Sequence, residues 1–133
     1  REQGKRVGLL RIRYMRPFPA ALIARALSGA KAVGVLEKDI SFGAEGTVFT
    51  NVNSALQQAG CSVPTFNFVG GLGGDDITGA QMDAMFDALL EVAGGNRAAC
   101  GQSGLSRVRF LGIDFPGEGG AAHDDAACEG GAR

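Results

Sequence analysis

The sequence predicts an α/β protein in which helices cover both faces of a mostly parallel sheet, a three-layer α/β/α architecture. Short, continuously apolar runs at 32–36 and 65–69 have the length and composition of strands that are covered on both faces. Segments with the helical spacing of apolar residues separate these runs. Strands that alternate with helices are typical of parallel sheets.

Two further strands are predicted near the ends of this pattern. Apolar and basic residues partly alternate over 7–14, which indicates a strand with one better-covered face. Two prolines within 16–19 end it, because proline lacks a backbone donor and disfavours helix before it. A last or edge strand is expected over 107–113. The domain is therefore predicted over 1–113, and the Gly-, Ala- and acid-rich tail at 114–133 is expected to be disordered.

Three helices are predicted from apolar stripes. The third also has a capping box, in which Thr78 and Gln81 satisfy each other's backbone N–H groups. The stripe of the first helix, which begins near Pro19, comprises Leu22, Ile23, Ala26 and Leu27. The stripe of the second helix comprises Val48, Phe49, Val52 and Leu56. The stripe of the third helix comprises Met82, Met85, Phe86, Leu89 and Leu90.

Composition excludes several classes of function. A formal net charge of −1 gives no long-range field for nucleic acid or for an acidic membrane, and no apolar run is long enough to span a bilayer. Cys61, Cys100 and Cys128 are too far apart for a zinc site or a disulfide framework. Scattered thiols suit a reducing compartment, so we expect a cytoplasmic protein.

The candidate site lies where the parallel strands end. The loops at 37–46 and 70–77 are expected at the same edge of the sheet, where open α/β sheets bind ligands. The glycines of 70–74 either cradle a phosphate of coenzyme A or a nucleotide, or form a tight turn before the third helix. Asp75 and Asp76 favour the turn, because carboxylates repel anions and no Lys or Arg is expected near the loop.

Several other polar residues allow more than one interpretation. Glu37, Lys38 and Asp39 come directly after a buried strand, where they either supply a general acid–base, Glu37, or make a polar contact with a neighbouring domain. Arg11, Arg13 and Arg16 form an anion patch, a solvated face or an interdomain ion pair. His123 lies beside two aspartates in the tail, and it either binds a metal weakly or is solvated. Cys61 is expected to be unreactive, because it has no basic neighbour that would favour the thiolate form.

Three segments, at 16–19, 35–46 and 68–78, occur in one order and together closely resemble the α-chain of pyruvate:ferredoxin oxidoreductase, or pyruvate synthase. The resemblance covers residues 1–113 and places them in the domain that is similar to the C-terminal domain of transketolase. Such a domain has a further strand and helix before the strand predicted at 7–14. The resemblance therefore implies a partial domain that lacks them.

Two positions depart from the family pattern. Asp75 stands where the family usually has a basic residue, which removes that side of any interdomain ion pair. In related 2-oxoacid dehydrogenases the loop after the second strand often brings a His to the active site, whereas here it holds Ser41 and Phe42.

The resemblance implies a parent enzyme that converts pyruvate and coenzyme A to acetyl-CoA and CO2 and reduces ferredoxin, with thiamine diphosphate, Mg2+ and [4Fe-4S] clusters as cofactors. It assigns no catalytic, cofactor-binding or metal-binding residue to this segment, which is expected to be an assembly and interface domain. Its partners would be other domains or subunits of the oxidoreductase, and an exposed sheet edge would allow self-association. The candidate interdomain contacts are Arg16, Glu37, Lys38, Asp39, Ser41, Gly43, Gly73, Gly74, Asp75 and Asp76.

Overall fold

Three helices and three strands make up the part of the chain that the computed structural model describes, residues 4–41, 45–96 and 108–112. A short 3-10 turn, Leu72–Gly74, lies between the second strand and the third helix. In chain order the elements are α1 (Ala20–Leu27), β1 (Val33–Glu37), α2 (Thr47–Gln58), β2 (Thr65–Gly70), α3 (Gly79–Ala93) and β3 (Val108–Leu111).

The sheet is parallel and has the strand order β1-β2-β3. Its register pairs Val33 with Thr65 and Glu37 with Val69, and β3 pairs with the second half of β2. All six residues of β2 are buried, as a central strand with helices on both faces requires. The predicted parallel sheet, with a last strand at its edge, is therefore confirmed.

The two faces of the sheet pack against different helices. Val33 and Val35 of β1 join the residues of α1 and α2 in one apolar cluster. Phe66 and Phe68 of β2 pack in a second cluster with the buried residues of α3. Side chains along a strand alternate between faces, so these clusters lie on opposite sides of the sheet. The predicted three-layer α/β/α architecture is confirmed.

Helix α3 begins as its sequence predicts. Thr78 Oγ1 accepts from the Gln81 backbone N–H at 3.2 Å, and Gln81 Oε1 accepts from the Thr78 backbone N–H at 2.9 Å. Both bonds satisfy donors that a helix N-terminus otherwise leaves free. Met85, Ala88 and Val92 are the buried residues of this helix.

The predicted apolar stripe of α1 is partly wrong. Ile23 and Ala24 are the buried residues, whereas Leu22 is 60% exposed and Ala26 is also exposed. This short helix packs against α2 and residues of β1 through one narrow face, which carries Ile23. Spacing alone could not distinguish that face from the adjacent one.

The strand predicted over 7–14 is absent: the segment has no strand pairing among the described residues. Val7 and Ile12 are half-buried, but Leu9 is 82% and Tyr14 75% exposed. A strand needs a neighbour for its backbone N–H and C=O groups, and none of the three described strands pairs with this segment. The prediction for 114–133 and the candidate contact Gly43 lie outside the described residues.

Candidate functional site at the strand ends

The loops after β1 and β2 meet at one edge of the sheet, because Glu37 and Val69 are paired at the ends of parallel strands. Lys38, the next residue after β1, lies over Gly71, the next residue after β2. A Cβ atom built at Gly71 would be 2.5 Å from Lys38 Cε and 2.9 Å from Lys38 Nζ. Gly71 therefore leaves the space that the lysine side chain occupies.

This contact corrects the expectation that no cation lies near the glycine-rich loop. Lys38 and Gly71 are far apart along the chain, so neighbours in the sequence do not predict their contact. Pairing of β1 with β2 brings them together. The signal that was available is positional: the first residue after each of two adjacent parallel strands lies at the same edge.

The glycine-rich loop is a tight turn that needs glycine for its backbone. Gly71, Gly73 and Gly74 have φ angles of +70°, +68° and +94°, in the region that other residues rarely adopt. The Asp75 N–H closes the turn by donating to the Leu72 carbonyl at 3.3 Å. Asp75 and Asp76 are exposed, and their carboxylates have no ion pair within the part of the chain described.

Glu37 is a buried carboxylate that caps α2 from the neighbouring strand. It is only 8% exposed. Its Oε2 accepts from the Val48 N–H at 2.8 Å, and its Oε1 accepts from the Phe49 N–H at 3.1 Å. The residue at the N-cap position, Gly46, has no side chain to do this. The carboxylate faces the positive end of the helix, which stabilises it.

Asn67, on β2, completes this arrangement and was missed in the sequence. It is fully buried, its Nδ2 donates to Glu37 Oε1 at 2.8 Å, and its Oδ1 accepts from the Gly46 N–H at 2.7 Å. Nδ2 also lies 3.4 Å from the Val35 carbonyl. The available signal was an amide within an otherwise apolar, fully covered strand, since buried polar groups require partners.

The loop after β1 is held at both ends by polar contacts. Asp39 Oδ2 accepts from Thr47 Oγ1 at 2.5 Å, and the Ser41 N–H donates to the Glu45 carbonyl at 2.8 Å. A Cβ atom at Gly46 would overlap with the Glu37 carboxylate, so this position also requires glycine. Lys38 and Asp39 are exposed and Ser41 is half-buried. Glu37 is buried, and its carboxylate is hydrogen-bonded within the domain.

None of the remaining candidates among the described residues has a hydrogen bond or an ion pair with the residues of this edge. Arg16 is exposed and donates from Nη1 to the Met15 carbonyl at 2.6 Å. Arg11 and Arg13 are exposed, and neither has an ion pair among the described residues. Cys61 is half-buried, with a weak contact from Sγ to the Ala59 carbonyl. His123 lies outside the described residues.

A family comparison decides how this domain is classified. The model of the family described as pyruvate:ferredoxin oxidoreductase core domain II matches residues 1–82, more than half of the chain. The chain belongs to the core domain II family. The matched region includes α1, β1, α2, β2 and the capped start of α3. It therefore contains every residue of the strand-end site.

Curated relatives agree with the core domain II assignment. The chain is 41% identical over 83 residues to pyruvate synthase subunit PorA of Methanothermobacter thermautotrophicus, which covers 62% of this chain and 21% of that subunit. It is 36% identical over 113 residues to PorA of Thermotoga maritima, covering 85% and 26%. It is 35% identical over 92 residues to ketoisovalerate oxidoreductase subunit VorA of Pyrococcus abyssi, covering 69% and 23%. The chain thus matches about a quarter of each relative's length.

The described part of the domain has no grouped ligands for a metal ion or for an iron–sulfur cluster. No three His, Cys, Asp or Glu side chains are grouped there so as to hold a metal ion. Iron–sulfur clusters need sets of cysteine thiolates, and Cys61 is the only described cysteine.

A membrane-spanning helix would have to be long and almost entirely apolar, and none of the helices in the described part of the chain meets both conditions.

Proposed function

We propose that this chain is a non-catalytic assembly domain of the α subunit of a 2-oxoacid:ferredoxin oxidoreductase. The observation that carries the proposal is the core domain II match over residues 1–82. The parent enzyme would convert pyruvate and coenzyme A to acetyl-CoA and CO2 and reduce ferredoxin in the cytoplasm. Thiamine diphosphate, Mg2+ and [4Fe-4S] clusters would be held by other domains of that enzyme.

The names of the relatives support a role that does not select the substrate. Proteins named for pyruvate, for ketoisovalerate and for phenylglyoxylate match this chain at 41%, 35% and 34% identity. A domain that formed the substrate pocket would differ more between such enzymes, because pocket contacts set specificity. Similar identity to all three supports packing and assembly.

The proposed interdomain surface is the strand-end edge. Lys38, Asp75 and Asp76 supply exposed charges of both signs there, as polar contacts between domains do. Glu37 supports this surface from within, since its carboxylate is bonded to α2 and to Asn67. The other proposed contact residues are Arg16, Asp39, Ser41, Gly43, Gly73 and Gly74.

A further strand and helix would complete the sheet beside β1. The Val33 N–H donates to the Pro64 carbonyl in the parallel ladder, so the backbone groups of Gly34 and Leu36 point to the opposite edge. Among the described residues no strand pairs with that edge. An open edge of this kind accepts a strand from a neighbouring part of the enzyme or from a second copy.

A chimera tests the proposal. The segment of Thermotoga maritima PorA that matches this chain would be replaced by residues 1–113, and the subunit purified with its natural partner subunits. We expect pyruvate- and coenzyme A-dependent dye reduction in the chimera and none with the isolated chain, which should also bind no thiamine diphosphate. A chimera that folds and assembles but is inactive, or an isolated chain that turns over, would contradict an assembly role.

A second candidate function is an independent module that binds coenzyme A or a nucleotide. The contact between Lys38 and Gly71 favours it, because a cation over a glycine-rich turn at strand ends attracts phosphate. The adjacent aspartates oppose it. Calorimetric titration of the chain with coenzyme A decides: binding that is lost in Lys38→Ala and strengthened in Asp75→Arg would establish the module.

A further inference from the structure

The chain separates its charges along the sequence. Residues 4–36 contain Lys and Arg but no Asp or Glu, whereas residues 37–96 contain eight carboxylates and a single Lys. The net charge of −1 conceals this separation. Asymmetry of this kind indicates a surface that meets an oppositely charged one.

The basic part is concentrated in residues 5–16, which we call the basic segment. It carries Lys5, Arg6, Arg11, Arg13 and Arg16. The four arginines are exposed, and none has an ion pair in the described part of the chain. Arginine is one of the residue types that are enriched at protein interfaces.

Exposed apolar side chains coincide with these arginines. The described residues have four large, exposed hydrophobic side chains, and three of them, Leu9, Leu10 and Tyr14, lie in the basic segment. They are 82%, 45% and 75% exposed, and the fourth, Leu22, follows on α1 at 60%. A stretch that mixes exposed apolar residues with arginine matches the composition of an interface.

The matching acidic surface is on α3. Asp83, Asp87 and Glu91 are spaced by four residues, so they share one face of the helix, and all three are exposed. No Lys or Arg lies on α3. Lys5 Nζ contacts Asp87 Oδ1 at 2.5 Å, so the start of the basic segment adjoins the acidic face within one chain.

We propose that two copies of this chain pair through these surfaces, with the basic segment of each copy against the acidic face of α3 in the other. Two complementary surfaces that adjoin each other on one chain suit a two-fold dimer. In such a dimer each copy contributes both surfaces, so the same contact forms twice. The exposed leucines and Tyr14 would supply most of the affinity, since exposed ion pairs alone contribute little. The charges would set orientation and salt dependence. This contact is independent of the proposed oxidoreductase role and differs from pairing at the β1 edge.

Charge reversal on the full 133-residue chain tests the pairing. Sedimentation velocity at low salt should show a dimer, and about 1 M salt should weaken it, because the Debye length then falls to about 3 Å. Arg11→Glu/Arg13→Glu and Asp83→Lys/Glu91→Lys should each raise the dissociation constant by about tenfold or more. An equimolar mixture of the two variants should restore the dimer.

Arg25→Glu/Lys31→Glu is the matched control, since it makes the same change in net charge outside the basic segment and should leave the dimer intact. Circular dichroism checks that each variant is folded. If one of the two charge-reversed variants does not fold, the other one is compared with the control.

A wild-type chain that stays monomeric at low salt would overturn the pairing. A dimer that resists salt and both reversals would also overturn it, in favour of the β1 edge. A monomer that binds polyuridylic acid would assign the arginines to nucleic acid. None of these results bears on the activity of the chimera, so the two proposals fail separately.

Discussion

Asn67 donates from Nδ2 to Glu37 Oε1 at 2.8 Å, across the paired parallel strands β1 and β2. The amide and the carboxylate are both buried, and together they accept from three backbone N–H groups at the start of α2. In the described part of the chain, no buried side-chain N or O atom lacks a partner. A fully satisfied buried network of this kind favours a single packing arrangement.

Glu37→Gln should destabilise the domain by about 1–3 kcal/mol, because one carboxylate oxygen becomes an NH2 group that faces backbone donors. Urea unfolding gives the free energy, and hydrogen exchange should show lost protection at the Val48 and Phe49 amides. Asp83→Asn, an exposed change of the same chemistry, is the control and should have almost no effect. Equal loss in both variants would rule out the capping role.

Asn67→Asp should be destabilising on its own, since it places a second carboxylate oxygen 2.8 Å from Glu37. The double variant Glu37→Gln/Asn67→Asp should be more stable than the sum of the two single changes predicts, because the glutamine amide can donate to the new aspartate. A double-mutant cycle by urea unfolding measures this coupling. Strict additivity would show that the two side chains do not interact in solution.

Gly71→Ala should cost more than Gly73→Ala, although the two glycines have almost the same φ, +70° and +68°. Both variants incur the left-handed backbone penalty of about 1–2 kcal/mol. At Gly71 the added methyl group meets both the Lys38 side chain and the Asp75 carbonyl oxygen, the latter at 3.1 Å, whereas Gly73 has open space. The end of the exposed lysine side chain can move, so adding Lys38→Ala should recover only part of the difference, which thermal unfolding would detect. Equal stability of the two alanine variants would show that neither contact restricts the space over Gly71.

Thr78→Ala should lower stability by about 0.5–2 kcal/mol through the loss of the cap on α3. Thr78→Ser keeps the hydroxyl that accepts from the Gln81 N–H and should retain most of that stability. Chemical unfolding of the three proteins provides the test. Serine and alanine variants of equal stability would show that the capping bond contributes nothing.

Asp75→Arg should change the stability of the isolated chain by less than about 0.5 kcal/mol, because the side chain is exposed and unpaired in the described structure. In the proposed parent enzyme the same change restores the basic residue that the family resemblance implies at this position. The melting temperature of the isolated chain measures the effect on stability. The amount of partner subunit that co-purifies with the chimera measures the effect on assembly. A large loss of stability in the isolated chain would place Asp75 in an internal contact instead.

Local and periodic features were predictable from the sequence. The continuous apolar runs gave β1 and β2, and Thr78 with Gln81 gave the start of α3, because strand burial and helix capping depend on residues close in sequence. The strand over 7–14 was wrongly predicted, since alternation describes a side-chain pattern and not the neighbour that a strand needs. The stripe on α1 was misplaced at Leu22 because the direction of its packing partner is a tertiary property.

The strand-end site was predictable in position but not in its contacts. Parallel strand order placed both loops at one edge, which the structure confirms. The role of Glu37 as a cap, the partnership of Asn67, and the contact of Lys38 with Gly71 all join residues that are distant in sequence. Each depends on the register of β1 against β2, and a one-residue slip would reverse the face of every side chain.

The cap of α2 also determines when that helix can become complete during folding. Helices usually carry their own N-terminal acceptor and can close their first turn locally. Here the acceptors are on β1 and β2, eleven residues before Val48 and twenty-one residues after Gly46. The first turn of α2 therefore gains its cap only once the two strands have paired in register. The amides of that turn should become protected together with the sheet and not with the rest of the helix, so they report directly on sheet assembly.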